Sequence, residues 1–353
     1  MSRFLNAQFQ SMEAYTPGEQ PRGMDYIKLN TNESPYPPAP SVVAAITGRD
    51  IELLRLYSDP TAKALKEKLA ALYGVKAENV FVSNGSDEVL NFAFMAFGGK
   101  GVLFPDISYG FYEVFGDLYS LNYEKIPLKA DFSLDYRDYC GKNKMVVIAN
   151  PNAPTGMSIP VSEIEEILKS NPDNLVLIDE AYVDFGGETA LALIEQYDNL
   201  LVTRTFSKSR CLAGGRLGYA FASAAVIADL EKIKYSTNPY NLDRLTLTLG
   251  EATVDAEPYY QEKCAAIQET RAWTAEQLRN LGFEVLPSST NFVFAKTNKM
   301  DGGELYMALK EKGILVRHFT NPRICQYNRI TIGTPGQMQA FIDTVKEVLY
   351  ENL

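Results

Sequence analysis

The feature that most constrains the fold of this chain is a repeated pattern of strand followed by helix that begins near residue 79. Short apolar runs such as NVFVS, MVVIA and NLVLID predict buried strands, and amphipathic stretches such as SEIEEILKS predict helices between them. This alternation is typical of βαβ units and a mostly parallel sheet, whose ligands bind beyond the carboxyl ends of the strands. We therefore predict an α/β fold in which helices flank a mostly parallel central sheet.

Two changes of pattern divide the chain into three parts. Residues 1–40 are rich in turn formers and prolines and predict an extended arm. Residues 41–240 contain the alternation of strands and helices and predict a large α/β domain. Residues 241–353 predict long linking helices, interrupted near Pro258, and a smaller α+β domain. We expect the arm to join this small domain as one lobe.

Composition disfavours several classes of function. The 353 residues carry a net charge of −10, and general nucleic-acid binding relies instead on clustered cations. His318 is the only histidine, so the chain cannot build a multi-histidine metal site, and we expect this residue to pack or hydrogen-bond within a strand. The four cysteines form no CxxC pair, which argues against a zinc ribbon and a disulfide framework.

The sequence predicts neither a membrane span nor a secretory signal. No apolar run approaches the roughly 18 residues that a membrane-spanning helix requires. The first residues, MSRFLNAQFQSMEAY, contain no apolar core and no small-residue cleavage site of the kind found in a signal peptide. We therefore expect a cytoplasmic protein that does not bind membranes.

The stretch Leu200–Arg216, LLVTRTFSKSRCLAGGR, places a lysine where a predicted buried strand ends. Lys208 follows Thr205 and Ser207 and lies eight residues before Arg216. This combination suits a pyridoxal-phosphate site, because the amine can bond the cofactor aldehyde while the hydroxyls and the guanidinium hold its phosphate. An isolated Ser-Lys pair is more often a surface lysine in a turn, so the interpretation depends on the other motifs.

A second motif lies between the predicted strand NVFVS and the helix that follows it. Gly85 and Ser86 form the turn, and Asp87 and Glu88 lie in the first turn of the helix. Free N–H groups at a helix start can cradle a phosphate, and Gly85 allows close approach because it has no side chain. The alternative is a simple turn whose acidic residues complement the helix dipole.

A third motif places Asp179 at the end of the predicted strand NLVLID. An ionised carboxylate there can keep a pyridine nitrogen protonated, and Tyr182 can reach the phenolic oxygen of the same ring. Lys208 follows Asp179 by 29 positions, which leaves room for one helix and one return strand, so both residues should emerge at the same sheet edge. Tyr109 can stack on the ring face. The alternative is that Asp179 and Glu180 are a pair of turn acids.

Four motifs resemble those of the fold-type-I, class-II aminotransferases, which use pyridoxal phosphate. They are NPNAPTG at Asn150–Gly156, DEAY at Asp179–Tyr182, TFSKSRCLAGGRLG at Thr205–Gly218 and NRITIGT at Asn328–Thr334. Nearly the whole chain resembles this family, and LNTNESPYPP, VRHF and RITIGT are most similar to the histidinol-phosphate aminotransferases. The resemblance implies amino transfer from histidinol phosphate to 2-oxoglutarate in histidine biosynthesis, by a homodimer whose active sites are completed across subunits.

The resemblance also implies a role for each matching residue. Lys208 would form the Schiff base and shuttle a proton, Asp179 would pair with the pyridine nitrogen, and Tyr182 would bond the phenolic oxygen. The residues implied to hold the cofactor phosphate or cover its ring are Gly85, Ser86, Asp87, Tyr109, Thr205, Ser207 and Arg216, with Tyr57 reaching the cofactor phosphate of the neighbouring subunit. The residues implied to line the substrate pocket are Tyr15, Asn32, Asn291, Arg317 and Arg329.

The chain departs from the family pattern at one position. The family usually has an asparagine immediately before PTG, where it bonds the phenolic oxygen, and this chain has Ala153. Asn152 is the nearest replacement, and its side chain would have to reach the ring from one residue earlier.

Other functions remain open on the sequence. An aromatic aminotransferase or a phosphothreonine decarboxylase of the same fold would carry the same motifs, because none of them reads the substrate. A binding protein that kept the fold without catalysis is a further class, and the presence of both Lys208 and Asp179 argues against it.

Overall fold

The N-terminal part of the chain contributes one short strand and three helices that lead to the central sheet. The structure is a computed structural model that describes residues 2–10, 12–13, 15–20 and 25–351. The elements of this part are β1 (Ile27–Lys28), α1 (Pro40–Val43), α2 (Gly48–Glu52) and α3 (Lys63–Tyr73). Gly74 closes α3 in the left-handed conformation, with a φ of 69°, as glycine commonly does at the end of a helix.

A mostly parallel sheet forms the centre of the molecule, which confirms the predicted fold class. Its strands are β2 (Val80–Ser83), β3 (Val102–Pro105), β4 (Tyr123–Ile126), β5 (Met145–Ala149), β6 (Val176–Asp179), β7 (Leu200–Thr205) and β8 (Gly218–Ala222). The strands lie in the order β2-β8-β7-β6-β5-β3-β4, and β8 runs antiparallel to both of its neighbours. Because β6 and β7 are adjacent and parallel, their carboxyl ends meet at the same sheet edge.

Helices cover both faces of this sheet. They are α3 together with α4 (Ser86–Phe97), α5 (Phe111–Leu118), α6 (Val161–Ser170), α7 (Ala224–Thr237) and α8 (Arg244–Asp255). On one face Leu177 and Leu201 pack with residues of α4, α5 and α7, and on the other Ile178 and Val202 pack with residues of α3, α6 and α8. Burial on both faces explains why these strands are apolar runs rather than alternating ones.

The connection from β6 to β7 differs from the prediction. In place of the expected helix, the chain forms two short 3-10 segments, Val183–Phe185 and Leu191–Glu195. Gly186 and Gly187 lie between them, and Gly186 adopts a φ of 113° that a helix cannot contain. Glycine is a poor helix former, which gives the physical reason for the difference.

The C-terminal part packs a second, antiparallel sheet against helices. Its elements are α9 (Glu257–Asn280), β9 (Phe283–Val285), β10 (Phe292–Thr297), α10 (Gly302–Glu311), β11 (Ile314–Leu315), β12 (Arg317–His318), β13 (Asn328–Thr331) and α11 (Pro335–Glu351). The sheet has the order β12-β13-β10-β9. Pro258 lies in the first turn of α9, directly after α8 ends at Asp255, so the predicted interruption is confirmed.

The arm crosses to this C-terminal part. β1 pairs in parallel with β11, and the backbone N–H of Thr331 donates to the carbonyl of Leu29 at 2.9 Å. Leu29 is buried in the core formed by α9, α10 and α11. The residues that follow Leu29 therefore run beside β13, next to the carboxyl edge of the central sheet.

Outside the sheet edge, the described residues show little that suggests other chemistry. His318 lies on β12 and stacks its ring on that of Tyr306, with the two ring centroids 5.8 Å apart. Within the described ranges, no helix is long and apolar enough to cross a bilayer, and no three histidine, cysteine or acidic side chains are grouped as a metal site. The four cysteines are free thiols.

Candidate active site

Two adjoining cavities open between the edge of the central sheet, the arm and the C-terminal strands. The aspartate cavity, of about 390 Å³, is bordered by Asp179, Arg216 and the first turn of α4. The arginine cavity, of about 440 Å³, is bordered by Arg317 and Arg329. The residues that border both are Thr31, Tyr109, Ala153, Tyr182 and Lys208. Lys208 therefore lies at the junction of the two cavities.

Lys208 follows the end of β7, and its side chain is half-buried. Its Nζ donates a hydrogen bond to the backbone carbonyl of Thr31 at 3.1 Å. The same nitrogen lies 5.9 Å from the centroid of the Tyr182 ring. The lysine is thus held between the arm and the segment that follows β6.

Asp179 is the last residue of β6, and its exposed fraction is only 5%. Its carboxylate accepts hydrogen bonds from the Tyr112 hydroxyl at 2.8 Å and from the backbone N–H of Ala181 at 3.2 Å. Burial nevertheless raises its pKa to about 6, because taking the charge out of water outweighs the two donors. A cation that entered the aspartate cavity would stabilise the charged form.

The neighbouring acid, Glu180, has a structural role. Its carboxylate pairs with Arg204 at 2.8 Å and accepts hydrogen bonds from the Thr189 hydroxyl and the backbone N–H of Ala190. No described cation pairs with Asp179 in the same way. The alternative interpretation of a turn acid therefore applies to Glu180, and Asp179 keeps its negative charge available to the cavity.

The first turn of α4 and Arg216 form a candidate anion cradle. Gly85 precedes α4 with a φ of 72°, and a Cβ atom on it would lie 2.6 Å from Nη2 of Arg216, so only glycine lets the two approach. Asp87 accepts hydrogen bonds from Arg216 at 3.0 Å and from the Tyr109 hydroxyl at 2.8 Å. Because the first N–H groups of a helix lack partners within it, they and the guanidinium can hold a phosphate.

Hydroxyl groups complete the wall of the aspartate cavity. Thr205, the last residue of β7, and Ser207, two residues later, both border it, and the backbone N–H of Ser207 donates to the Thr205 hydroxyl at 3.0 Å. Burial raises the pKa of the Tyr109 and Tyr112 hydroxyls well above their usual value, and the carboxylates beside them raise it further. Both tyrosines therefore remain protonated and keep donating to those carboxylates.

These groups fit pyridoxal phosphate, the cofactor that the sequence resemblance implies. Asp179 offers an uncompensated negative charge for a protonated ring nitrogen. The start of α4, the hydroxyls of Thr205 and Ser207, and Arg216 offer donors for a phosphate. Lys208, between them, offers the amine that such a cofactor requires.

The arginine cavity places two cations side by side. Arg317 and Arg329 are register partners on β12 and β13, and neither forms a salt bridge with a described residue. Arg329 donates to the carbonyl of Asn30 at 3.0 Å, while its buried Nε has no hydrogen-bond partner among the described residues. Burial lowers the pKa of Arg329, and the charge of Arg317 lowers it further. The acid that borders this cavity, Asp106, pairs instead with Arg323, so the two adjacent guanidiniums form a site for an anion.

The structure brings most of the predicted residues to these cavities. The aspartate cavity is bordered by Ser86, Asp87, Tyr109, Asp179, Tyr182, Thr205, Ser207, Lys208 and Arg216, with Gly85 behind Arg216, and the arginine cavity by Tyr15, Asn32, Arg317 and Arg329. Asn291 lies behind Asn32, to whose carbonyl it donates at 2.9 Å. Tyr57 is 78% exposed, lies outside both cavities and stacks on Tyr240.

The structure places Asn152 outside the lining of the aspartate cavity. Its amide nitrogen donates to the carbonyl of Ile107 and to the hydroxyl of Thr155, both at 2.9 Å. Its amide oxygen accepts from the Ser108 hydroxyl at 2.8 Å. Both protons of the amide nitrogen are donated to these two partners, which argues against the expectation that Asn152 replaces the asparagine missing at Ala153.

Sequence reasoning missed two groups at the site. Tyr112, which supports Asp179, lies in the first turn of α5, three residues after Tyr109, and that proximity in sequence is the only signal that could have indicated it. Thr31 contacts Lys208 through its backbone carbonyl, so its side-chain type carries no signal at all.

Comparisons with known proteins agree with this geometry. A model of the family "aminotransferase class I and II" matches residues 24–345. A histidinol-phosphate aminotransferase 2 of Dechloromonas aromatica is 49% identical over 354 residues, 99% of each chain. A histidinol-phosphate aminotransferase of Marinomonas sp. is 50% identical over 351 residues, 98% of this chain and 99% of the relative. A solved histidinol-phosphate aminotransferase of Sinorhizobium meliloti, in complex with pyridoxal-5'-phosphate, shares the fold, with a TM-score of 0.88, 23% identity and coverage of 100% and 99%.

Proposed function

This chain belongs to the class I and II aminotransferases, and we propose that it is a pyridoxal-phosphate enzyme that moves the amino group of histidinol phosphate to 2-oxoglutarate, as in histidine biosynthesis. The products are imidazole-acetol phosphate and glutamate. The observation that carries the proposal is the position of Lys208 at the junction of the aspartate and arginine cavities. The full-length identity to histidinol-phosphate aminotransferases supports the choice of substrate.

The residues of the aspartate cavity have distinct tasks in this proposal. Bound pyridoxal phosphate supplies an electron sink for the charge that develops on the substrate α-carbon. Lys208 would supply the amine for the cofactor aldehyde, and its Nζ would hold and move a proton at that carbon. Asp179 holds the proton on the ring nitrogen, and Tyr182 donates to the phenolic oxygen. The start of α4 and Arg216 hold the phosphate.

The arginine cavity serves two different anions in turn. Histidinol phosphate carries a phosphate and no carboxylate, whereas glutamate carries two carboxylates. Arg317 and Arg329 suit both, because a guanidinium offers a planar fork of donors that matches either anion. The pair has no carboxylate partner to displace among the described residues, so the same side chains can bind each substrate.

The proposal includes a homodimer that shares its active sites. Tyr57 is the most exposed of five large apolar side chains in residues 43–57, the others being Val43, Ile51, Leu54 and Leu56, and its ring stacks on the exposed Tyr240. Exposed apolar surface of this kind is typical of an interaction site. We place a second copy of the chain on it, with Tyr57 reaching the partner's cofactor phosphate. The proposal also includes a cytoplasmic location, which four free thiols suit.

Mixing two variants that should each be impaired at limiting pyridoxal phosphate tests the shared site. Lys208→Ala removes the amine, and Tyr57→Phe removes only the hydroxyl while keeping the ring that stacks on Tyr240. If Tyr57 acts across the interface, a mixed dimer contains one site with both wild-type groups, so activity at limiting pyridoxal phosphate should recover. No recovery on mixing would place Tyr57 outside the partner's site.

A substrate comparison tests the main proposal. Purified protein with pyridoxal phosphate is assayed against histidinol phosphate, phenylalanine and phosphothreonine, with 2-oxoglutarate as acceptor. We expect kcat/KM for histidinol phosphate to exceed that for phenylalanine by at least about a hundredfold, the contribution of a paired phosphate. Carbon dioxide release from phosphothreonine, or a preference for phenylalanine, would replace the proposed substrate with the corresponding alternative.

A further inference from the structure

We propose that Asn32 is a positioning residue that orients the Tyr182 hydroxyl and thereby takes over, from the arm, the task of the asparagine that is absent at Ala153. The inference rests on the proposed function, in which Tyr182 bonds the phenolic oxygen of pyridoxal phosphate. It assigns Asn32 a role toward the cofactor in addition to its place in the arginine cavity.

The contact that carries the inference is a single hydrogen bond. Nδ2 of Asn32 donates to the Tyr182 hydroxyl at 2.9 Å, between residues 150 positions apart. A hydroxyl has one proton, and an oxygen that accepts from Asn32 leaves that proton free to point elsewhere. Accepting one hydrogen bond also makes the hydroxyl a stronger donor in the next. Asn32 therefore both directs the Tyr182 hydroxyl and strengthens its hydrogen bond to a ligand.

The orientation of the Asn32 amide follows from its other partners. Its backbone N–H donates to the Thr331 hydroxyl at 3.0 Å, so the proton of that hydroxyl is free to donate to Oδ1 of Asn32, 2.9 Å away. Because Oδ1 is the acceptor for Thr331, the nitrogen is the atom that faces Tyr182. Asn32 is 1% exposed and adopts a φ of 57°, a left-handed conformation that asparagine tolerates better than most residues.

No other described side chain competes for this task. Ala153 has no polar group, and Asn152 is held by the Ile107 carbonyl and the Thr155 and Ser108 hydroxyls. The Tyr182 ring packs edge-on against Phe292, with centroids 5.2 Å apart, and this contact fixes the ring but not the direction of the hydroxyl. Within the described ranges, Asn32 is the one hydrogen-bond partner of the Tyr182 hydroxyl.

A double-mutant cycle tests the inference with measurements that do not depend on turnover. Asn32→Ala, Tyr182→Phe and the double variant are compared with wild type in their dissociation constant for pyridoxal phosphate and in the midpoint pH of its visible absorption band. Since one hydrogen bond is worth about 0.5–1.5 kcal/mol, Asn32→Ala should weaken cofactor binding roughly two- to tenfold and move the midpoint. In the Tyr182→Phe background the same substitution should change binding less than about twofold.

The matched control is Asn32→Asp, which keeps the size and the bond from Thr331 but loses the N–H donor. We expect it to weaken binding at least as much as Asn32→Ala when the Tyr182 hydroxyl is present, and the same substitution in the Tyr182→Phe background measures the effect of the new charge alone. It also replaces Asn32→Ala in the cycle if that variant does not fold. If substituting Asn32 weakens pyridoxal-phosphate binding equally with and without the Tyr182 hydroxyl, the inference is wrong. The proposed transaminase function would stand in that case. A wild-type protein that binds no pyridoxal phosphate would instead overturn the proposed function.

Discussion

Replacing Asp179 with asparagine should stabilise the cofactor-free protein and inactivate the enzyme. The buried carboxylate has a pKa of about 6, compared with an ordinary value of 3.8. A difference of about two in pKa corresponds to about 3 kcal/mol, the amount by which the ionised carboxylate destabilises the folded state at neutral pH. Asp179→Asn keeps the volume of the side chain and an oxygen that can accept from the Tyr112 hydroxyl. The effect of the substitution is therefore one of charge rather than of packing.

The difference in free energy of unfolding between Asp179→Asn and wild type should grow as the pH rises. Below pH 3.8 the carboxyl is protonated in both the folded and the unfolded state, so its contribution vanishes. Between pH 3.8 and about 6 the folded state keeps a proton that the unfolded state has lost, so wild-type stability falls as the pH rises. Above about pH 6 the full penalty applies. The free energy of unfolding of Asp179→Asn should therefore exceed that of wild type by about 1 kcal/mol at pH 4.5 and about 3 kcal/mol at pH 7.5.

Urea unfolding of the cofactor-free proteins between pH 4.5 and 7.5 measures this difference. Saturating pyridoxal phosphate should reverse the order of stability, because the ring nitrogen then supplies the missing cation. At an effective dielectric of about 20, one charge pair at about 4 Å is worth about 4 kcal/mol, so kcat should fall roughly a thousandfold. A difference in stability that does not change with pH, or a variant with near wild-type kcat, would refute the argument that Asp179 is a buried charge reserved for the ring.

Three further predictions concern other residues of the site. Lys208→Ala should still bind pyridoxal phosphate but show no turnover. Borohydride should attach the cofactor covalently to the wild-type protein and not to this variant, and attachment to the variant would mean that another lysine is the nucleophile. Arg329→Lys should slow single-turnover amino transfer from both glutamate and histidinol phosphate, because lysine lacks the planar fork, and unchanged rates with both would remove Arg329 from the site. Asn152→Ala should lower the free energy of unfolding by about 1–3 kcal/mol, since it leaves the Ile107 carbonyl and the Ser108 hydroxyl unpaired. The absorption band of the bound cofactor should stay unchanged, and a shifted band would mean that Asn152 contacts the cofactor ring.

The local pattern of the sequence was sufficient to place the groups at the ends of the central strands. Asp179 and Lys208 could be assigned to one sheet edge because each follows a continuous apolar run, and parallel strands end on the same side. The turn at Gly85 was readable for a similar reason, since a strand, a glycine and an acidic first turn are all features of a few consecutive residues. The chain between Asp179 and Lys208 was predicted less well, because Gly186 and Gly187 favour short turns over the expected helix.

The contacts between distant segments were decided by the tertiary structure. The Thr31 carbonyl at Lys208 and the Asn32 amide at Tyr182 lie at the site because β1 pairs with β11 and draws the arm past β13. The partners of Asn152, which are the Ile107 carbonyl and the Thr155 and Ser108 hydroxyls, could not be predicted, because a residue type does not reveal which atoms will satisfy it. Periodicity and residue type report burial and backbone preference over a few neighbours. The pairing of a donor with an acceptor 150 positions away depends on how the strands are ordered, and that order emerges only when the whole chain has packed.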